Sequence, residues 1–184
     1  HTGVVTVNAG TLAGLGGTGG DLTVSTGTLS PGITGTPGAF TVSGSLTVST
    51  GGTLATQIGG ATTNAAAAVL AEMNTNGNLI GFIGSVPSAW ENYLNGTTAH
   101  SHTLVSGTAS APAITGTVAL LGGYSPVYGD VFDILDWGFS GAMTSTPSAF
   151  DFGGITLGSG LAFNTDLFAS NGILVIVPEP SRVL

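Results

Sequence analysis

A phrase that occurs three times near the beginning of the chain restricts the fold more than any other feature of the sequence. It has the form Thr-Val-x-x-Gly-Thr-Leu, with one extra glycine in the third copy, and the copies begin at Thr6, Thr23 and Thr47. The first two starts are 17 residues apart and the next two are 24 apart. Because a unit of this length cannot bury its own apolar face, the copies are expected to stack on one another as the rungs of a solenoid.

Within each copy, apolar and hydroxyl side chains alternate. Leu22 and Val24 flank Thr23, and the third copy repeats the pattern at Leu46-Thr47-Val48. A period of two, β-branched residues and interrupting glycines are typical of short β-strands separated by turns. The sequence therefore predicts a single all-β domain over residues 1–184, with a body that resembles a β-solenoid or parallel β-helix; an antiparallel β-sandwich or jelly roll is the alternative fold.

The composition changes after residue 60, where a run of alanines begins. Residues 65–73 have high helix propensity, and Asn64 can cap that helix. A second helix is expected at residues 88–94, where Ser88 and Glu91 have the spacing of a capping box. Residues 61–103 are therefore predicted to form a helical insertion against the β body. Its expected buried face consists of Leu70, Met73, Trp90 and Leu94.

The chain has few charged residues, and nearly all of them are acidic. Arg182 is its single basic residue against nine aspartates and glutamates, and the formal net charge is -8. A surface that cannot neutralise phosphates excludes nucleic acid as a partner. No apolar run approaches the roughly 20 residues of a membrane-spanning helix, so no membrane span is expected in the chain as given. The run Ile173–Val177 is apolar on both faces, and we expect it to be buried on two sides or covered by another chain.

The residues Val177-Pro178-Glu179-Pro180-Ser181 form a second motif near the C-terminus. Together with the repeated phrases and the segment Gly129–Trp137, this motif resembles bacterial secreted proteins that carry autotransporter-associated β-strand repeats and end in a PEP-CTERM sorting signal. In that family an export and processing system reads the Pro-Glu-Pro motif, so the resemblance implies that residues 177–184 are a sorting-signal tail. It also implies a secreted protein at the cell surface or in the extracellular matrix of a bacterium.

Two groups of residues offer metal ligands, although no metal and no other cofactor is predicted. The densest acidic group is Asp130, Asp133 and Asp136, and His100 and His102 flank a serine. On one continuous strand Asp133 and Asp136 would point to opposite faces, which favours strand-edge and turn roles for these carboxylates. The two histidines lack a visible third ligand. The weak metal candidates are therefore His100, His102, Asp130 and Asp133.

The expected function is structural, and no enzymatic activity is predicted. Solenoid-like bodies have open ends, and a strand edge accepts another chain unless charge or proline blocks it. We therefore expect an extracellular protein whose copies assemble into a surface filament or matrix, a homo-polymer joined by strand addition between subunits. One terminal strand is predicted to pair with the next copy, either Val4–Val7 or Ile173–Val177. The candidate residues are Val4, Val5, Val7, Ile173, Leu174, Val175, Ile176 and Val177.

Two other functions are alternatives. A carbohydrate-binding or adhesive module would take surface polysaccharide as its partner and would need an exposed row of aromatic side chains. The candidates for that row are Trp90, Tyr93, Tyr124 and Trp137. A polysaccharide lyase or hydrolase is less favoured, because it rests on fold analogy alone. A groove for acidic sugars also needs basic side chains, and the sequence offers only Arg182.

Overall fold

The computed structural model describes residues 2–79, 81, 100–107, 110–138 and 141–179. Within these ranges the chain forms 17 β-strands and two helices, so the all-β prediction is confirmed. Neither of these two helices is long and apolar enough to cross a lipid bilayer.

The strands are short, and they form four sheets that we name A, B, C and D. In chain order the elements are β1 (Val5–Val7), β2 (Thr11–Gly14), β3 (Gly16–Thr18), β4 (Leu22–Val24), β5 (Thr28–Pro31), β6 (Ala39–Val42), β7 (Leu46–Val48), β8 (Thr53–Gln57), β9 (Thr63–Asn64), α1 (Ala66–Asn76), β10 (His102–Val105), β11 (Ala113–Ile114), β12 (Thr117–Leu121), β13 (Asp130–Asp133), β14 (Leu135–Trp137), β15 (Ala149–Asp151), β16 (Leu161–Asn164), α2 (Phe168–Asn171) and β17 (Ile173–Pro178). The strand orders are β1-β4-β7-β11 in sheet A, β15-β12-β8-β5-β2 in sheet B, β14-β10-β6-β3 in sheet C and β16-β17-β13-β9 in sheet D.

The chain visits sheets A, B and C in a fixed order, and each pass adds one strand to each sheet. The first pass is β1-β2-β3, the second β4-β5-β6, the third β7-β8-β10 and the fourth β11-β12-β14. Successive passes pair in parallel with the repeated phrases in register, so that Val7 lies beside Val24 and Val24 beside Val48. Parallel pairing throughout these three sheets, which together form the body, does not fit the antiparallel sandwich that the sequence left as the alternative.

Alternation along the strands sends one set of side chains into the body. In β4 the residues Leu22 and Val24 are buried, while Thr23 between them is only partly so. The leucines of the Gly-Thr-Leu phrases stack as well, because Leu29 pairs with Leu54 in sheet B and both are fully buried. Columns of aliphatic side chains that are removed from water therefore hold successive passes together.

Sheet D is antiparallel, and its two central strands, β13 and β17, are almost completely buried. Strand β17 sends alternate side chains into the apolar cluster that fills the body and into a second cluster that includes Val69 of α1. It is also an inner strand, since β13 pairs with Ile173–Val175 and β16 pairs with residues 175–178. The prediction that Ile173–Val177 offers an edge to another subunit is therefore wrong, because strands of the same chain occupy both of its edges.

The first predicted helix is present, but it begins one residue later than expected. Ala65 occupies the N-cap position and makes no side-chain capping bond. The side-chain oxygen of Asn64 accepts a hydrogen bond from the Ala66 N–H at 3.4 Å, so Asn64 still contacts the first turn. The helix ends at Gly77, whose φ of +72° is the left-handed conformation common at helix C-termini.

The buried face of α1 differs from the predicted one. Val69 is fully buried against sheet D, whereas Leu70, which was predicted to be buried, is 44 % exposed. Met73 is partly buried and packs against the same cluster, as expected. The second predicted helix at residues 88–94, with Trp90 and Leu94, lies outside the described residues.

Substitutions at Val69 and Leu70 should therefore have unequal effects. Val69→Ala is expected to lower the free energy of unfolding by about 1.5–3 kcal/mol, because it removes buried methyl groups and leaves a cavity. Leu70→Ala removes more carbon from a largely exposed position and should change it by less than about 0.5 kcal/mol. Urea denaturation of the two variants measures the difference, and a larger loss at Leu70 would contradict the packing of α1.

Candidate functional site

The first pass of the body ends all three parallel sheets. Strands β1, β2 and β3 are the terminal members of sheets A, B and C, and we call residues 5–18 the N-terminal edge. The apolar side chains here are less buried than their equivalents in later passes. Leu12 is only partly buried, whereas its neighbour Leu29 and the next leucine of the stack, Leu54, are inaccessible to water. Leu15 is 71 % exposed.

Free backbone groups line this edge. The Val5 N–H donates to the Asp21 carbonyl at 2.9 Å, and the Val7 carbonyl accepts from the Ser25 N–H at 3.0 Å. Because consecutive residues of a strand direct their N–H and C=O groups to opposite sides, those of Thr6 point away from β4. The carbonyls of Gly10, just before β2, and of Gly14 at its end accept hydrogen bonds from the second pass. The N–H and C=O groups of Thr11 and Ala13 therefore point outward. The predicted pairing segment at Val4, Val5 and Val7 thus belongs to an edge with unused hydrogen-bonding groups, and its pairing with another copy stays a prediction.

The N-terminal edge also lacks the features that usually prevent strand addition. Exposed edge strands are commonly protected by charged side chains, especially lysine, or by proline. Residues 2–20 contain no aspartate, glutamate, lysine, arginine or proline, although the chain has nine acidic residues and eight prolines. Among the residues that the structure describes, the edge is therefore both unpaired and unprotected.

The opposite end of the body differs from the N-terminal edge. There α2 lies across the last pass, and the Phe168 ring packs edge-on against Phe150 of β15 with 5.2 Å between ring centroids. The outermost strands at this end are β11, β14 and β15. Asp136 and Asp151 lie on β14 and β15, and β11 forms a bridge from Ala113 to Ser145. Covering side chains and carboxylates are both obstacles to strand addition.

A second candidate site lies where β13 leaves sheet D and the chain enters sheet C. Asp133 is the last residue of β13, Asp136 is the middle residue of β14, and His102 begins β10, which pairs with β14. Their side-chain ligand atoms all lie within 4.8 Å of one another. The expectation that Asp133 and Asp136 point to opposite faces is wrong, because it assumed one continuous strand and the chain turns a corner at Ile134.

The three side chains of this cluster have unequal environments. His102 Nε2 and Asp136 Oδ2 are 3.1 Å apart, and the two side chains are 20 % and 33 % exposed. Asp133 is 1 % exposed, and neither of its carboxylate oxygens has a hydrogen-bond partner among the described residues. A buried carboxylate without partners is a costly arrangement that native structures rarely leave uncompensated.

Electrostatics within the cluster follow from this burial. Burial, with a contribution from the charge of Asp136, raises the pKa of Asp133 to about 8, although His102 acts in the opposite direction. For His102, burial alone would lower the pKa, but the hydrogen bond to Asp136 and the negative charges of both aspartates outweigh it and raise the pKa. Asp133 and His102 therefore both hold a proton more readily than they would in water.

The other two predicted metal candidates have structural roles. His100 is buried, and its Nε2–H donates to the Asp133 carbonyl at 2.6 Å, while burial lowers the pKa of His100 to about 4. The Asp130 carboxylate accepts hydrogen bonds from the Tyr124 hydroxyl and the Val127 N–H, each at 2.8 Å. The structure thus brings His102 and Asp133 together with Asp136, which the list of metal candidates omitted, and it leaves out His100 and Asp130.

The aromatic row that sugar binding requires is not formed by the described residues. Tyr124 and Trp137 are partly buried, and their polar atoms donate to Asp130 and to the Gly141 carbonyl. Tyr124 is also the single aromatic residue lining a groove of about 320 Å³ between the β8 and β12 ends of sheet B. Trp90 and Tyr93 lie outside the described residues.

The predicted sorting-signal tail begins inside sheet D. Val177 and Pro178 are the last residues of β17, and Val177 is buried. The Glu179 N–H donates to the Gly160 carbonyl at 2.9 Å, so the motif is still held to the sheet at this residue. Pro180 and Ser181 lie outside the described residues.

Comparison with known proteins reveals no relative of this chain. No protein-family model matches the sequence, and no curated protein and no solved structure is significantly similar to it.

Proposed function

We propose that this protein is a non-enzymatic structural protein of a bacterial cell surface or extracellular matrix, whose copies join by strand addition at the N-terminal edge. The body would be a β-solenoid, since the chain winds repeatedly through three parallel sheets. The observation that carries the proposal is the combination of three terminal strands with a stretch of 19 residues, 2–20, that contains neither charge nor proline.

A second copy of the chain is the occupant that fits this edge best. Each copy has a net charge of -8, but residues 2–20 contain no acidic residue, so the strands that would meet carry no charge of their own. Asp21 lies beside Val5, but its carboxylate accepts a hydrogen bond from the Ser45 N–H, which precedes β7. Strand addition is made through main-chain N–H and C=O groups, in parallel or antiparallel orientation. A second copy presents the same phrases and the same free N–H and C=O groups.

Contact between like edges leads to a closed pair of copies. Two identical surfaces related by a two-fold axis form an isologous contact, in which β1 of one copy would pair antiparallel with β1 of the other. The filament expected from the sequence needs a second accessible edge. Because β17 is an inner strand and the far end carries α2 and carboxylates, the geometry favours a pair over an open filament.

The resemblance to exported repeat proteins supports the proposed location. The repeated phrases and the Val177-Pro178-Glu179-Pro180-Ser181 motif are the residues on which that resemblance depends. A body held by parallel backbone ladders and aliphatic columns requires neither cofactor nor disulfide for its stability, which suits a protein without cysteine. Secretion, sorting at residues 177–184 and residence at the surface are parts of the same proposal.

Association through the N-terminal edge can be tested with proline at Thr6. The purified chain is expected to sediment as a pair at high concentration and to dissociate on dilution. Thr6→Pro removes an outward N–H without breaking a bond to β4, so this variant should remain folded and sediment as a monomer. Thr6→Val keeps the N–H and the β-branched shape and should pair like the parent. A parent chain that is monomeric throughout, or a Thr6→Pro variant that still pairs, would contradict the proposal.

The arrangement of the two copies can be tested with a single thiol, because the chain has no cysteine. In a two-fold pair, Thr6 of one copy lies close to Thr6 of the other, so Thr6→Cys should form a covalent dimer with a short thiol-reactive crosslinker. Leu70→Cys places a thiol on exposed α1, away from the edge, and serves as the control. A Thr6→Cys variant that associates but yields no covalent dimer would favour head-to-tail contact and the filament instead, because Thr6 would then not face Thr6 of its neighbour.

A further inference from the structure

We infer that His102, Asp133 and Asp136 form a binding site for one divalent transition-metal ion, with Zn²⁺ as the best match. The site lies at the corner between sheets D and C, far in sequence from the N-terminal edge, and it does not depend on the proposed pairing. One imidazole nitrogen and two carboxylate oxygens are ligands that zinc accepts in proteins.

The buried carboxylate of Asp133 is the main evidence that this cluster binds a metal ion. Both of its oxygens are shielded from water and lack hydrogen-bond partners in the described part of the chain. An ionised carboxylate in such surroundings needs a compensating charge, because burial removes its hydration. A cation bound between Asp133, His102 and Asp136 would supply that charge and satisfy the unpaired oxygens.

The distances suit a first-row metal ion after a small adjustment. Zinc binds nitrogen and oxygen ligands at about 2.0–2.2 Å, so two neighbouring ligands of one ion lie about 2.8–3.6 Å apart. His102 Nε2 and Asp136 Oδ2 already have such a separation, at 3.1 Å. The widest separation in the cluster is within 4.8 Å, and the partly exposed side chains of His102 and Asp136 have room to close it around the buried Asp133.

The ligand set also discriminates among metal ions. Calcium prefers six to eight oxygen ligands, and magnesium retains most of its water, so neither gains much from an imidazole. Imidazole with carboxylate suits zinc and its first-row neighbours. Since His102 and Asp136 reach the surface, the remaining coordination positions face solvent and would hold water.

A bound ion would tie together three strands from two sheets. His102 belongs to β10, Asp136 to β14, and Asp133 ends β13, so the ion would pin the corner at Ile134. We therefore expect zinc to stabilise the fold by mass action, since the unfolded chain does not bring these ligands together. The competing explanation is that Asp133 carries a proton and the cluster binds no metal.

Calorimetric titration of chelator-treated protein with Zn²⁺ tests the inference. One ion should bind per chain, and a hundredfold excess of free zinc over its dissociation constant should raise the melting temperature by about 5–10 °C. Ca²⁺ at the same concentration should produce a much smaller shift. A parent chain that binds no zinc and shows no shift would overturn the inference and leave the proton as the partner of Asp133.

Variants of the ligands separate this site from incidental binding. Asp133→Asn keeps the shape and removes the charge, and we expect it to weaken zinc binding by at least about 100-fold. His102→Gln changes a partly exposed side chain and should do the same, which keeps the test decisive if Asp133→Asn does not fold. Asp151→Asn removes an exposed carboxylate outside the cluster and should bind zinc like the parent. Unchanged affinity in both ligand variants would place the ion elsewhere and overturn the inference.

Discussion

Replacing Phe132 with alanine is expected to lower the free energy of unfolding by about 3–5 kcal/mol, because the change leaves a large cavity beneath sheet D. Phe132 is fully buried, and its ring is surrounded by those of His100, Tyr124 and Phe163 at centroid distances of 6.1, 6.3 and 6.4 Å. These rings come from three separate segments, so alanine would leave each of them without its central contact. Aromatic pairs at such distances add to the stabilisation that burial provides.

Urea denaturation of Phe132→Ala, followed by circular dichroism, measures this loss. Val127→Ala is the matched control, since Val127 is an apolar residue of the preceding loop that is 52 % exposed, and it should change the free energy by less than about 0.5 kcal/mol. Similar stabilities for the two variants would mean that sheet D does not pack on the body through Phe132. The position of Asp133, the next residue, would then also be in doubt.

The winding of the body could be predicted from the sequence because its determinants are local. Alternation around Thr23 and Thr47 fixes which side chains of each strand face inward, and the repeated phrases fix which strands are equivalent. Equivalent strands that cannot bury their apolar faces alone must stack in register, as Val24 does on Val48. Period and repetition therefore predict the pairing partners in sheets A and B without knowledge of distant contacts.

The position of β17 could not be predicted in the same way. A run such as Ile173–Val177 indicates burial on both faces, but it does not say which segments provide the cover. Here α1 covers one face, the body covers the other, and β13 and β16 occupy the edges. Each of these partners lies in another segment of the chain, so the strand by itself does not distinguish cover by its own chain from cover by another subunit.

The corner that assembles the zinc candidate also depends on distant residues. The Ile134 N–H donates to the Gly172 carbonyl at 3.1 Å, and the Ile134 carbonyl accepts from the Thr103 N–H at 3.0 Å. These two bonds divide what the sequence presents as one apolar strand into β13 and β14. As a result Asp133 and Asp136 converge, although their spacing in a regular strand predicts divergence.

Gly172 is the residue at this corner that should be least replaceable. Its φ of +71° lies in the left-handed region, where it ends α2 just before β17 begins. A β-carbon at this position would overlap the backbone carbonyl of Leu135, which cannot move without displacing β14. Gly172→Ala is therefore expected to lower the free energy of unfolding by about 2–5 kcal/mol, through the combined effects of the backbone conformation and the overlap.

A second glycine separates the two contributions. Gly35 has a nearly equal φ of +76°, but a β-carbon there would meet no atom within 4 Å, so Gly35→Ala should lose only the conformational part, about 1–2 kcal/mol. The difference between the two variants in urea denaturation then reports the overlap with Leu135. Equal losses would show that β14 shifts freely at this corner. A shift of that kind would also move Asp136 relative to Asp133. Zinc titration of the same two variants therefore tests whether the packing of Gly172 against Leu135 positions the metal ligands.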